Sequence, residues 1–331
     1  MSKIDTASAG HTRSPFVCFA LACIAVGLAI GVIAFTFLDR DGSELGPEVS
    51  VDLHQGDGAH ETDSRPPAAA GAVLRVAIAP VISPEASVEQ YGDLIAFLAH
   101  SLGVQPVLLR GKNYSEVNDL IRMRQCDMAL VCTYSYVLAE VAFGARLLVA
   151  PEVEGRRVYH SLILVRTASS ATKLTDLRDQ RFASCDVLST SGWLYPVTVL
   201  KQQGIDTARF FSKHIISGSH DRSVFAVQSG LVDAAAVDSI VYEHMVANDP
   251  ALGRQLKVIH RSPPFGMPPL VVPADLPPDR FAKLQRVLLD MHTHAKGKRI
   301  LASLGFDLFF DPGDEDYDTV RSLHTSWLNQ P

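Results

Sequence analysis

Two short stretches of small hydroxyl residues are the most chemically suggestive parts of the sequence. Ser189–Gly192 (STSG) and Ser217–Asp221 (SGSHD) each follow a predicted strand and open a predicted helix. Backbone N–H groups at a helix N-terminus have no partner within the helix, and the helix dipole adds partial positive charge there. With the hydroxyl donors and His220, which can donate a hydrogen bond or carry a positive charge, such N-termini suit a tetrahedral oxyanion. Ser and Thr are also ordinary N-caps, but two such stretches, one with a histidine, favour an anion site.

The elements that must position these stretches alternate between strand and helix. Such alternation predicts an α/β fold with mainly parallel sheets and helices on both faces. The pattern runs to about residue 143 and starts again after Tyr159, which predicts two doubly wound lobes joined by two crossings, near His160–Arg166 and Arg261–Leu270. A long amphipathic helix is predicted over Phe281–Lys296. Ligands of open parallel sheets bind beyond the carboxyl ends of the strands, so the loops there are the candidate site.

An apolar segment near the N-terminus sets the expected compartment. Residues 15–38 are almost wholly apolar and long enough to cross a bilayer. Lys3 and Arg13 precede this span and acidic residues follow it, which predicts a cytoplasmic N-terminus (1–14) and an inner-membrane, single-pass protein with the rest in the periplasm. A cleaved signal peptide is the alternative, and it would keep the compartment. Residues 39–72 are rich in Gly, Pro, Ser and Asp and predict a flexible linker.

Composition excludes several classes of function. The net charge is −6 and no basic stripe occurs, so we expect no nucleic-acid partner. Ser191, His220 and Asp238 could be drawn as a catalytic triad, but the sequence has no G-x-S-x-G elbow and no phosphate-loop signature. We therefore expect a binding protein that is not an enzyme, with no cofactor and no metal.

Three segments carry a resemblance to a known family: STSGWLYP, SGSHDRSVFAVQSGLVDAAAVDS and VIHRSPPFGMPPLVVPADLP. They resemble the phosphate, phosphite and phosphonate-binding proteins of ABC importers, and the order of elements matches from about Val73 to Phe310. The resemblance implies a two-lobed, Venus-flytrap binding domain over 73–331, with lobe one at about 73–162 and 266–331 and lobe two at about 163–265. It also implies a permease and an ATPase as partners.

The resemblance also implies which residues hold the ligand. The phosphorus oxyanion would be held by four residues of lobe two: Ser189, Thr190, Ser191 and His220. Asp238 would accept a hydrogen bond from a protonated ligand oxygen or face the substituent. Tyr91 and Tyr136 would wall the cleft from lobe one, and Cys132 and Thr133 complete the candidate set.

Two positions depart from the family pattern. Aminophosphonate binders carry an acidic residue about where Ile240 stands, so phosphite, phosphate or methylphosphonate fits this chain better. Cys132 stands where many importer proteins have a Gly-Pro-rich loop, and Cys185 ends a strand in the other lobe. Both can be small buried apolar residues. The alternative is a thiolate site for arsenite in a sensor that signals to a membrane histidine kinase.

Overall fold

The computed structural model of the protein describes residues 72–329. The predicted transmembrane span and nearly all of the predicted linker lie outside these residues. Across residues 72–329, no helix combines the length and the apolar character needed to span a bilayer.

The first lobe is a six-stranded sheet with strand order β13-β4-β12-β3-β1-β2. Its strands are β1 (Val73–Ile78), β2 (Gln105–Arg110), β3 (Met128–Leu130), β4 (Arg146–Glu152), β12 (Leu270–Val272) and β13 (Leu308–Phe310). Its helices are α1 (Pro84–Leu102), α2 (Tyr114–Arg122), α3 (Thr133–Phe143), α9 (Pro278–Leu289), α10 (Ala295–Leu304) and α11 (Asp318–Asn329). Apolar side chains of both helix layers pack on the sheet and form its core.

The second lobe is a five-stranded sheet with strand order β10-β6-β9-β7-β8. Its strands are β6 (Ser161–Arg166), β7 (Arg181–Ser184), β8 (Lys213–Ile216), β9 (Ala234–Asp238) and β10 (Leu256–Arg261). Its helices are α4 (Tyr195–Gln202), α5 (Thr207–Phe210), α6 (His220–Gln228), α7 (Ser239–Asn248) and α8 (Pro250–Gln255). The central strand β9 is buried along its whole length. The first residues of α6 and α7 both lie at its carboxyl end, where this buried strand holds them in place.

Two chain crossings join the lobes. The short strands β5 (Val158–Tyr159) and β11 (Phe265–Gly266) pair antiparallel between the two sheets. The return crossing lies within the predicted Arg261–Leu270 segment. The first crossing lies before Ser161, slightly earlier than predicted, because Ser161–Arg166 already pairs with β9 and β10 of the second sheet.

Both sheets are mixed, whereas mainly parallel sheets were predicted. In the first lobe β1 pairs parallel with β2 and β3, but β12 enters antiparallel between β3 and β4. In the second lobe β6 runs antiparallel to both β9 and β10. Strands β12 and β6 each follow a crossing and enter their sheets from the hinge side, and β13 also runs antiparallel to β4.

The predicted long helix over Phe281–Lys296 is wrong in its limits. Helix α9 ends at Leu289, a 3₁₀ turn covers Met291–Thr293, and α10 begins at Ala295. Gly297 explains the tight turn: a Cβ there would lie 2.0 Å from the carbonyl oxygen of Met291, so only glycine allows this close approach. The amphipathic pattern continues across the break because both helices bury apolar side chains in the same core cluster.

Candidate functional site

The first hydroxyl stretch forms a π-helical turn, Thr190–Leu194, that leads into α4. Ser189 caps this turn, and its side chain accepts a hydrogen bond from the Gly192 N–H at 3.0 Å. A Cβ on Gly192 would lie 2.7 Å from the Cys185 sulfur and 3.2 Å from the His220 ring. Glycine therefore lets the turn sit directly against these two side chains. Single π turns of this kind recur at functional sites.

Thr190 reaches across to the first lobe. Its hydroxyl accepts a hydrogen bond from the Tyr134 N–H at 2.8 Å, and its own N–H donates to the Cys132 sulfur at 3.4 Å. Cys132 occupies the N-cap position of α3 without capping it. A threonine of lobe two therefore caps a helix of lobe one, and the N-termini of two helical segments face each other at this point.

His220 is fully buried at the start of α6. Its Nδ1 accepts a hydrogen bond from the Asp238 N–H at 3.2 Å, so the proton of the neutral ring lies on Nε2. That nitrogen lies 3.3 Å from the Cys185 sulfur and 3.5 Å from the Ser189 hydroxyl. Burial lowers the pKa of His220 to about 3, with Asp221 opposing the shift. His220 is thus a neutral donor, and the positive charge considered from the sequence is wrong.

The backbone around His220 also contacts the first lobe. The His220 N–H donates to the Val81 carbonyl at 2.9 Å, and the Asp221 carboxylate accepts from the Ser83 N–H at 3.0 Å. In addition, Asp186 of lobe two accepts from the Tyr114 N–H at 3.0 Å. Side chains and backbone of the two lobes are therefore in contact at several points around His220.

Asp238 ends β9 and caps α7. Its carboxylate accepts a hydrogen bond from the Ile240 N–H at 2.7 Å, and burial raises the pKa of this carboxyl to about 7. Burial and then the Asp238 charge raise the pKa of Tyr91, which places the Tyr91 ring near Asp238 across the cleft. Asp238 and Tyr91 both line the cleft between the lobes.

The Ser191 hydroxyl is buried without a hydrogen-bond partner, and the buried Tyr159 hydroxyl has no hydrogen bond of good geometry, although the Thr133 and Thr190 hydroxyls adjoin it. Tyr159 lies on the hinge strand β5, and the structure adds it to the candidates. Burial raises its pKa, with smaller contributions from Cys132 and Asp238, while the Thr133 and Thr190 hydroxyls oppose the shift. Tyr159 therefore faces the same group of side chains. Buried polar atoms without a partner cost free energy, so an incoming acceptor or donor would stabilise them.

Tyr114 is a second residue that the sequence did not single out. It begins α2, and its hydroxyl lies 3.8 Å from the Cys185 sulfur. Both tyrosines had a positional signal. Tyr159 stands directly before the first strand of lobe two, which places it at the hinge, and Tyr114 follows a strand end, where ligands of such sheets bind.

Two of the predicted site residues direct their hydroxyl groups to partners away from the side chains of Thr190 and His220. The Tyr136 hydroxyl donates to Asp314 at 3.3 Å, and its ring packs edge-on against Tyr317. The Thr133 hydroxyl donates to the Gly266 carbonyl of the hinge strand β11 at 3.0 Å. Tyr136 therefore supports the C-terminal segment of lobe one, and Thr133 joins α3 to the hinge.

The thiols near the cleft are held in the neutral form. Burial raises the pKa of Cys132, although hydrogen bonds from Thr190 oppose the shift. Burial also raises the pKa of Cys185 and His220 is neutral, so the Cys185–His220 contact is not a thiolate–imidazolium pair. Within residues 72–329, no cluster of three His, Cys, Asp or Glu side chains is arranged to hold a metal ion.

The group lacks the geometry of a catalytic triad. His220 binds the backbone N–H of Asp238 and not its carboxylate, and its other nitrogen faces Cys185 and Ser189 rather than Ser191. What converges here is a set of hydroxyl and backbone donors at helix N-termini, between two lobes. Such a set binds an anion and does not supply an activated nucleophile.

Comparisons with known proteins agree with this architecture. The family model described as "ABC transporter, phosphonate, periplasmic substrate-binding protein" matches residues 76–317. A protein of Prochlorococcus marinus, named as a probable phosphite-binding protein of an ABC transporter, is 24% identical over 263 residues, covering 76% of this chain and 88% of the relative.

Two solved structures have the same fold. The binding component of an ABC phosphonate transporter from Pseudomonas aeruginosa has a TM-score of 0.72 at 23% identity, covering 76% of this chain and 85% of that one. A Prochlorococcus marinus protein in complex with methylphosphonate has a TM-score of 0.70 at 22% identity, covering 77% and 98%. The fold is therefore the two-lobed α/β fold of periplasmic binding proteins. The chain belongs to the family of periplasmic substrate-binding proteins of ABC phosphonate transporters.

Proposed function

We propose that this chain captures a phosphorus oxyanion, such as phosphite, phosphate or methylphosphonate, between its two lobes and presents it to an ABC permease with its ATPase. The observation that carries the proposal is the buried, unpartnered hydroxyl of Ser191, together with the buried Tyr159 hydroxyl, which lacks a hydrogen bond of good geometry. They lie among helix N-termini and further hydroxyls, which together supply donors to several oxygens of one tetrahedral anion.

The contacts between the lobes suggest how the ligand is taken up. When the lobes part, the Tyr134 N–H loses its acceptor on Thr190, and the Thr190 N–H loses the Cys132 sulfur. An oxyanion entering at this point offers acceptors to both N–H groups while Ser191 and Tyr159 gain partners. Closure around the ligand thus replaces weak interlobe contacts by charge-assisted hydrogen bonds, which are the stronger kind.

The test is binding measured by calorimetry on the full chain with phosphite, phosphate, methylphosphonate, 2-aminoethylphosphonate and arsenite. Tyr159→Phe should weaken binding of a phosphorus oxyanion about tenfold, since a hydrogen bond to a charged group contributes about 1.5–3 kcal/mol. Tyr317→Phe is the matched control, because this buried tyrosine donates instead to the Met267 carbonyl of lobe one. Chain that ignores every phosphorus oxyanion yet binds arsenite through Cys132 would contradict the proposal.

We also propose that the apolar segment at 15–38 holds the chain at the outer face of the inner membrane. The full chain should then sediment with membranes, and deletion of residues 1–38 with a replacement signal peptide should release it into the soluble periplasmic fraction. Recovery of the full-length chain in the soluble fraction would contradict the tether.

None of the relatives compared supports the alternative of an arsenite sensor. The raised pKa of Cys132 also argues against a thiolate that binds arsenite.

A further inference from the structure

A broad cleft lies beside the anion-binding group, between the two lobes. Its volume is about 820 Å³, and its wall includes Asp238 and Tyr91. This size is within the range of pockets that enclose whole organic molecules, roughly 300–1,000 Å³. An inorganic oxyanion would leave most of the cleft without a ligand atom.

The cleft is continuous with the proposed anion site. Asp238 belongs to both, since it lines the cleft while its N–H bonds His220. Two more lining residues adjoin the same group: Asp221 follows His220 directly, and the carbonyl of Val81 accepts the His220 N–H. A substituent on the phosphorus of a bound oxyanion can therefore extend into the cleft.

Apolar side chains make up much of the wall. From lobe one they include Tyr91, Leu130 and Phe306, and from lobe two Phe225, Ile240 and Met245. Phe225 is 52% exposed, a large exposed fraction for a phenylalanine side chain. An apolar group in the cleft would remove this surface from water.

The charged groups of the cleft wall already have polar partners within the protein: Arg156 pairs with two glutamates, and backbone N–H groups bind the carboxylates of Asp221, Asp249 and Asp307. Arg156 bridges Glu154 at 2.7 Å and Glu243 at 2.9 Å, and Glu243 also bonds Arg261 at 2.6 Å. The Asp307 carboxylate accepts from the Gly155 N–H. The raised pKa of Asp238 favours the uncharged carboxyl on the floor of the cleft. The cleft therefore offers an apolar wall rather than a free charge for an ionic substituent.

We propose that the ligand of this chain is a phosphonate with an apolar organic substituent, such as an aryl or branched alkyl group, that lies in this cleft. The proposal rests on the proposed function, since the phosphonate oxygens occupy the anion site. It differs from the expectation of a small ligand, which was based on the missing charge at Ile240. An apolar residue at that position is what an apolar substituent needs.

The experiment compares the affinities of phenylphosphonate, methylphosphonate and 2-aminoethylphosphonate for the full chain by calorimetry. Phenylphosphonate should bind at least tenfold more tightly than either of the others. Phe225→Ala should remove most of this advantage and leave the methylphosphonate affinity within about threefold of the parent. Leu231→Ala is the control, because Leu231 is 63% exposed and is not part of the cleft wall.

The outcomes separate this inference from the proposed function. If methylphosphonate binds but phenylphosphonate binds no more tightly, the inference is wrong and the proposed function stands. A preference for 2-aminoethylphosphonate, or a phenylphosphonate advantage that survives Phe225→Ala, also overturns the inference. If no phosphonate binds, the inference is wrong, and the proposed function is wrong as well only if phosphite and phosphate also fail to bind.

Discussion

Two buried ionisable residues in the site have pKa values shifted in opposite directions. Burial lowers the pKa of His220 to about 3 and raises that of Asp238 to about 7, and the two residues are joined by a hydrogen bond between the histidine ring and the Asp238 backbone. His220 is therefore uncharged at neutral pH, and the Asp238 carboxyl is mostly protonated below pH 7. Each shift by itself makes the stability of the fold depend on pH, because the folded and unfolded states bind different numbers of protons.

His220 and Asp238 contribute to the pH dependence of the free energy of unfolding with opposite signs. Between about pH 3 and 6.5 the unfolded state protonates His220 and the folded state does not, so stability falls as the pH is lowered. Between about pH 3.8 and 7 the folded state keeps the Asp238 proton and the unfolded state does not, so stability falls as the pH is raised. From pH 4 to 6.5 the two contributions cancel.

Replacing Asp238 should leave the contribution of His220 to the pH dependence of stability without the opposing one. In Asp238→Asn the free energy of unfolding should fall below pH 6.5 with an additional slope approaching about 1.4 kcal/mol per pH unit, relative to the parent. Chemical denaturation of both proteins at pH 4.5, 5.5, 6.5 and 7.5 measures this difference. Parallel stability curves for parent and variant over this range would show that Asp238 is ionised in the folded protein.

The sequence indicates which residue types meet in the site but not how they are paired. The hydroxyls of Ser189–Ser191 are at a helical N-terminus as predicted, because local sequence determines capping. The protonation of His220 depends on its burial, and burial is set by side chains distant in sequence such as Cys185. The family resemblance places Tyr136 at the cleft wall, whereas its hydroxyl bonds Asp314, which is far away in sequence.

At the scale of secondary-structure elements, the π turn over Thr190–Leu194 is the most constrained part of the site. It packs against Cys185 and His220 through Gly192, which has no side chain to separate them. The turn also presents Thr190 to lobe one and leaves the Ser191 hydroxyl without a partner. Its position therefore determines both the interlobe contact and the proposed anion donors.

Gly192→Ala should displace this turn. The added Cβ would lie 2.7 Å from the Cys185 sulfur and 3.0 Å from the Ser189 hydroxyl, and overpacking of this kind costs about 1–3 kcal/mol. We expect a lower free energy of unfolding and at least tenfold weaker phosphonate binding. Denaturation and calorimetry measure both effects.

A second substitution tests the cause. Cys185→Ala makes room for the new methyl group, so the double variant Gly192→Ala/Cys185→Ala should regain part of the lost stability and binding. Strictly additive losses in the double variant would show that the two side chains do not collide, and would contradict the packing explanation.

Sequence periodicity located most elements but missed β4, β13 and the two-residue strands β5 and β11. The strand predicted before Ser217 is present as β8 (Lys213–Ile216), at the edge of its sheet. Strand β13 has only three residues, and β4 contains a proline near its end. These strands exist because neighbouring strands supply their hydrogen bonds, and that information lies elsewhere in the chain.

At the scale of the whole molecule, the order of elements and the family were recognisable from the sequence, because repeated strand–helix units and the two hydroxyl stretches are local features. The contacts that join the lobes were not, since they pair residues far apart in the sequence, such as Ser83 and Asp221. The C-terminal helix α11 is an example. It belongs to lobe one, where Arg321 bonds Glu140 of α3, yet its far end reaches α4 of lobe two through Lys201 and the Trp327 carbonyl.

This bridge places the two tryptophans of the chain together. Trp193 lies on the π turn of lobe two, and Trp327 lies on α11 of lobe one. Their ring centroids are 5.3 Å apart in an edge-to-face arrangement. A motion that parts the lobes must separate these rings and expose both to water, so intrinsic fluorescence reports the interlobe contact.

Thr190→Val should produce that change. Valine cannot accept the hydrogen bond from the Tyr134 N–H, and a buried donor left unsatisfied costs about 1–3 kcal/mol, which weakens the contact between the lobes. The variant should show red-shifted tryptophan emission and stronger collisional quenching than the parent, and Trp327→Phe in the same background should assign the residual signal to Trp193. Thr198→Val is the matched control, because that buried hydroxyl donates to the Leu194 carbonyl within lobe two. If Thr190→Val and the parent have the same emission maximum and the same quenching, Thr190 does not hold the lobes together.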